Sequence, residues 1–82
     1  MYYGVTKYVV MRDRAGVETP FIFPNHFVHA DLGRRLYGEP VSAGFIYLLP
    51  DCDVVVKGRS ESLNLDNRGE VDVKLIKEAL GW

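Results

Sequence analysis

Val41-Ser42-Ala43-Gly44-Phe45-Ile46-Tyr47-Leu48-Leu49 is the stretch on which the fold turns. Toward its end every residue is apolar, whichever face it points to, and a strand of that kind needs cover on both sides. Residues 41–49 are therefore expected at the centre of a sheet. Pro50-Asp51-Cys52-Asp53 supplies the turn chemistry that follows, and Val54-Val55-Val56-Lys57-Gly58-Arg59 returns as the second arm of a hairpin.

Working outward, Val5-Thr6-Lys7-Tyr8-Val9-Val10-Met11-Arg12 is β-branched and aromatic and runs into the turn tetrapeptide Asp13-Arg14-Ala15-Gly16. The returning strand over residues 17–23 contains Pro20, which has no N–H to give a ladder and so belongs at a sheet edge. Between the two hairpins, Asn25 reads as an N-cap, and Val28, Leu32 and Leu36 line one side of a helix that stops near Gly38. Gly33 inside that helix costs about 1 kcal/mol against Ala, so the helix depends on packing. From 60 to 66 the pattern loosens, and Leu63 and Leu65 are expected to tuck a loop onto the core. Asn67 with Glu70 three positions on matches a capping box; Val71, Leu75, Ile76, Ala79 and Leu80 then predict a second helix, with Gly81 as its C′ residue and Trp82 folding back.

The expectation is a single α+β domain over residues 1–82, ordered β-β-α-β-β-α. It is a two-layer sandwich, a four-stranded and largely antiparallel sheet with two helices on one face. Two short helices are a small lid for Tyr2, Tyr3, Tyr8, Phe21, Phe23, Phe45 and Tyr47. Rings left over imply a contact surface, and a symmetric dimer is the commonest way to cover one. The residues expected there are Tyr8, Phe21, Phe45 and Tyr47, with Arg59, since aromatic side chains and arginine anchor protein interfaces.

Composition narrows the function classes. An 82-residue chain has room for one core, and ten basic residues against eleven acidic ones leave no global field to draw in nucleic acid or an anionic membrane. The lone Cys52 has no partner for an internal disulfide, and neither a leader pattern nor a long apolar run is evident, which reads as a cytoplasmic protein.

His26, His29 and Asp31 form the cluster with most chemical promise, because imidazoles three apart on a helix can grip a transition metal, with Asp31 or distant Cys52 as a third ligand. A site needs three or four ligands, and two histidines near a helix start are also ordinary polar surface, so no metal or other cofactor is expected. An enzymatic reading would centre on the same three residues. Gly58-Arg59-Ser60-Glu61-Ser62 resembles a strand-turn-helix nucleophile motif, but Ser62 stands where its second glycine belongs, and serines here serve a turn through backbone hydrogen bonds. No catalytic residue is assigned. Arg34 and Arg35, with Arg12, Arg14, Arg59 and Arg68, are the cations a nucleic-acid face would use, yet acidic residues are interleaved with them. Cys52 lies between two aspartates, which raise a thiol pKa and make it a turn residue rather than a nucleophile.

At His29-Ala30-Asp31, Val41-Ser42-Ala43-Gly44-Phe45 and Gly58-Arg59-Ser60-Glu61-Ser62-Leu63 the chain resembles small hypothetical proteins encoded in phages and prophages, with a similar order of motifs over most of its length. The resemblance carries no activity to any residue. It implies a compact accessory protein that works by binding a host or viral protein.

Overall fold

A computed structural model of the chain describes residues 5–24, 27–30, 38–51 and 53–82. Four strands, β1 (Val5–Arg12), β2 (Glu18–Phe23), β3 (Glu39–Leu49) and β4 (Asp53–Lys57), form one antiparallel sheet in the order β2-β1-β3-β4. A second, two-stranded ribbon pairs β5 (Arg59–Ser60) with β6 (Leu65–Asp66), and the helix α1 covers Glu70–Leu80. The α+β class, the antiparallel four-stranded sheet and the inner position of residues 41–49 agree with the sequence.

The first hairpin shows how local chemistry sets the register. Asp13 N–H donates to the Val17 carbonyl at 3.0 Å, Gly16 N–H donates to the Asp13 carbonyl at 3.0 Å, and the Asp13 carboxylate accepts from the N–H of both Ala15 and Val17 at 2.9 Å. Gly16 takes φ +84°, the left-handed conformation that such a turn requires of its last residue. Bonded and non-bonded pairs alternate along an antiparallel ladder, so Pro20, opposite Val10, falls in a non-bonded pair and turns its nitrogen to the open edge. That is the position a proline tolerates.

Each sheet face has its own core. Tyr8, Val10, Ile46 and Val54 point to the helix face and meet Ile76 of α1, with Val73 and Leu75 packed around them. Val9, Met11, Phe23 and Ala43 point the other way, where Leu63 and Leu65 of the ribbon close over them. Ile76 is fully buried, and burying a side chain of that size is worth about 1.5–3 kcal/mol. A register shift between Val10 and Met11 lets β1 twist past β3.

Two expectations need correction. The residues of the expected helix at 25–38 lie mostly outside the described ones; among the described residues His29 and Ala30 are helical. They sit on the face opposite α1, because His29 packs edge-on against Phe23 and Phe45, at centroid distances of 5.4 and 5.7 Å. Two helices side by side on one face are not what the described residues form; the 60–66 segment, read as a loop, makes with Arg59 the ribbon that covers the second face. The capping box is also displaced. Gly69 is the N-cap and Glu70 the first helical residue, while Asn67 Oδ1 accepts from Gly69 N–H at 2.9 Å and Asp72, in the first turn, accepts from Arg68 N–H at 2.9 Å. The far end follows expectation, with Gly81 left-handed at φ 76°, its N–H on the Glu78 carbonyl and Trp82 N–H on the Lys77 carbonyl at 2.8 Å.

Candidate functional site: a ring-lined groove and a buried charge network

An open groove of about 470 Å³ lies on the ribbon face, where Lys7, His29 and Phe45 meet Arg59, Glu61 and Ser62. Three devices build it. β1 and β3 place Lys7 and Phe45 directly opposite one another, so both project to this face, and the Lys7 ammonium stands 5.9 Å from the centre of the Phe45 ring. Gly58, at φ +72°, ends β4 and turns the chain so that Arg59 begins the ribbon; the Phe45 ring lies 3.1 Å from where a Cβ would be. The serines hold the ribbon turn: Ser60 Oγ accepts from Leu63 N–H at 3.1 Å, and Ser62 Oγ accepts from Ala30 N–H at 3.2 Å. Ser60 shapes the turn as expected, whereas Ser62 ties that turn to Ala30, 32 positions away.

His29 is buried, and its Nε2 lies 2.9 Å from the Gly44 carbonyl oxygen. A carbonyl only accepts, so Nε2 carries the proton and donates. Burial holds the imidazole below the ordinary histidine value; the Gly44 bond works against that shift, and the Lys7 charge adds to it. His29 is thus a neutral, ring-packed residue tied to the sheet. His26 and Asp31, its expected partners in a metal or catalytic cluster, lie outside the described residues, as do Cys52, Arg34 and Arg35. Among the described residues no three His, Cys, Asp or Glu side chains gather as a metal would require.

The expected contact residues separate. Tyr8 is fully buried on the helix face and offers no surface. Phe21 and Tyr47 remain exposed, at 36% and 39%, and Phe45 is half-buried in the groove wall. Tyr47 and Leu49 continue the row that Phe45 begins, and Leu49 is 40% exposed. Arg59 borders the groove, its guanidinium bonded to Asn64 Oδ1 at 2.6 Å and 3.0 Å from Asp66 Oδ1.

The most connected polar cluster was not legible as a site in the sequence. Asp72 is wholly buried beneath the sheet and accepts four hydrogen bonds: from Tyr8 Oη at 2.6 Å, Ser42 Oγ at 2.9 Å, Arg68 N–H at 2.9 Å and Arg68 Nε at 3.0 Å. Arg68 also holds Glu18 through both terminal nitrogens, at 3.2 and 3.0 Å, and Arg12 clasps the same carboxylate at 2.8 Å. Desolvation opposes the Arg68 charge, but the Glu18 hydrogen bond and the Asp72 charge outweigh it and raise its pKa. Hydrogen bonds from Arg68 and then Arg12 hold Glu18 below the usual carboxylate range. Burial, followed by the bond to Asp72, pushes the Tyr8 hydroxyl well above the usual tyrosine value. The one available signal was spacing, since Asp72 stands one turn before Ile76 on the stripe that α1 buries, while Val71, assigned to that stripe, is exposed.

At Asp72 this network is buried and its carboxylate fully bonded, while Arg12 and Arg68 at its outer end are partly exposed. Arg12, Arg59 and Arg68, candidates for a phosphate-binding face, are each paired with a carboxylate. No helix among the described residues is long and apolar enough to cross a membrane. The class defined by fold and site is a small α+β sheet domain with a buried polar core and one ring-lined groove. No protein-family model matches the chain, and no curated protein or solved structure matches it either.

Proposed function

We propose that this chain is a non-enzymatic protein-binding module, dimeric and cytoplasmic, that grips a partner protein with the Phe45-Tyr47-Leu49 row and the adjoining groove. One observation carries the reading: Tyr47 and Leu49 stand about two-fifths exposed in succession on one sheet face, beside a groove rimmed by Lys7 and Arg59. Rings with a cationic rim are the usual composition of a protein contact. Among the described residues, His29, Ser60, Ser62 and Asp72 are hydrogen-bonded into the fold, which favours binding over catalysis. The resemblance to phage and prophage accessory proteins is in keeping with such a role, the partner being a host or viral protein.

The test is capture from an extract of phage-infected bacteria by the intact protein, alongside Tyr47→Asp and Arg59→Glu variants whose melting curves match the parent. A protein retained by the parent and lost by both variants supports the reading. Retention of nothing, or equal retention by all three, refutes it.

A further inference from the structure

Among the described residues the sheet ends in two edge strands, β2 and β4, and they are not equivalent. On β2 the outward-facing pair positions include Pro20, which has no N–H to offer, so that edge is closed to another strand. β4 is different. Because Lys7, Val9 and Met11 bond to β2, the alternation hands Thr6, Tyr8 and Val10 to β3, and then Phe45, Tyr47 and Leu49 to β4. Lys57, Val55 and Asp53 therefore face β3, while Val54 and Val56 turn their N–H and C=O groups outward. Among the described residues no strand pairs with them. The Val54 N–H is occupied by the neighbouring Asp53 carboxylate at 2.8 Å.

We infer that this edge pairs with the same edge of a second copy, joining two sheets into one of eight strands. The geometry points to one register. In an antiparallel pairing centred on Val55, Val54 of each copy exchanges both backbone hydrogen bonds with Val56 of the other. Asp53 then stands opposite Lys57 of the second copy, and Lys57 opposite its Asp53, on the same face. Shifting the centre to Val54 or Val56 keeps the outward groups paired but loses overlap and separates these charges. The strand Asp-Val-Val-Val-Lys is thus complementary to itself in charge and in hydrogen-bond phase, and the Asp53 carboxylate, held at the strand edge by Val54 N–H and Lys77 of α1, turns to meet Lys57 of the other copy. On pairing, Val54 N–H passes to a backbone carbonyl, which frees the Asp53 carboxylate for Lys57 of the other copy; Lys77, 3.3 Å from Asp53, remains beside it. Tyr47 lies directly across from Val55, so the pairing also brings the two exposed rows together into one broader face. The inference gives a surface to the self-association in the proposed function, and that surface is separate from the groove.

Sedimentation of the intact protein over a range of concentrations tests it. A dimer is expected, and Lys57→Asp, which sets two carboxylates opposite each other twice per dimer, should raise the dissociation constant about tenfold or more. Asp53→Lys combined with Lys57→Asp should restore association. With Cys52→Ser removing the native thiol, Val55→Cys places one thiol on the two-fold axis and should yield a disulfide-linked dimer on mild oxidation. This variant does not depend on the charged residues folding well. A monomer at every concentration, or a dimer that ignores the charge reversal and does not crosslink at 55, overturns the inference. Either result leaves capture through Tyr47 and Arg59 to be judged on its own.

Discussion

Asp72→Ala should be the most damaging single substitution outside the apolar core, and the structure says by how much. The carboxylate takes four hydrogen bonds in a site with no solvent access. Its removal leaves the Tyr8 and Ser42 hydroxyls and the Arg68 backbone N–H without an acceptor, and strips Arg68 of one of its two counter-charges. Breaking a buried pair by removing one partner costs about 3–5 kcal/mol. A chain of 82 residues has roughly 4–12 kcal/mol of total stability, so the variant should lose between about a quarter and all of it, and its urea midpoint should fall accordingly. Tyr8→Phe removes only one donor to a charged acceptor, at a cost of about 1.5–3 kcal/mol, because Asp72 keeps three others. The informative measurement is the double-mutant cycle by urea denaturation. Once the carboxylate is gone, the Tyr8 hydroxyl is a stranded buried donor, so Tyr8→Phe in the Asp72→Ala background should cost within about 0.5 kcal/mol of nothing, or should stabilise. If Tyr8→Phe costs the same in both backgrounds, the 2.6 Å bond does not hold the hydroxyl as argued, and the account of the network fails.

Acid should weaken the protein in two separable windows. His29 has a folded pKa below its unfolded value, so the unfolded chain binds the proton more readily; stability is complete above about pH 6.5 and falls as pH drops toward the folded value, a slope that His29→Gln should remove from urea midpoints. Glu18 is likewise depressed, so its contribution is present above about pH 4.3 and lost as pH falls through its folded value; Glu18→Gln should flatten acid-induced unfolding in that lower window alone. Among the glycines, thermal melts should rank Gly38→Ala well below Gly16→Ala. A Cβ at 38 would stand 2.5 Å from the Arg12 carbonyl oxygen, whereas at 16 it meets open space and costs only the left-handed backbone, about 1–2 kcal/mol. Gly44→Ala should cost about 1–3 kcal/mol, since its Cβ would press on the Lys57 carbonyl at 2.9 Å and on the Tyr8 ring; equal stability of Gly44→Ala and the parent would refute the close packing of β3 described above.

What the sequence determined by itself is what depends on neighbours along the chain. Turn residues, the period of apolar side chains and the punctuation by glycine and proline act over a few positions, so both hairpins, the edge position of Pro20, and the existence of the last helix with its Gly81 close, though not its start, could be read directly. Leu63 and Leu65 were legible as core contacts because two leucines in a polar segment have nowhere else to go. Only the tertiary structure decided which face each cover lies on, since strand alternation offers two equivalent faces and does not say which one a later segment will take. The same holds for Asp72, whose partners Tyr8 and Ser42 stand 64 and 30 positions away. Spacing one turn before Ile76 is the only local mark of a carboxylate that will be sealed under the sheet, and it names no partner; Tyr8, expected on a contact surface, is buried beside it. The reach of the deciding interaction sets the limit: short-range chemistry is written in consecutive residues, whereas a long-range pairing exists only once the chain has closed upon itself.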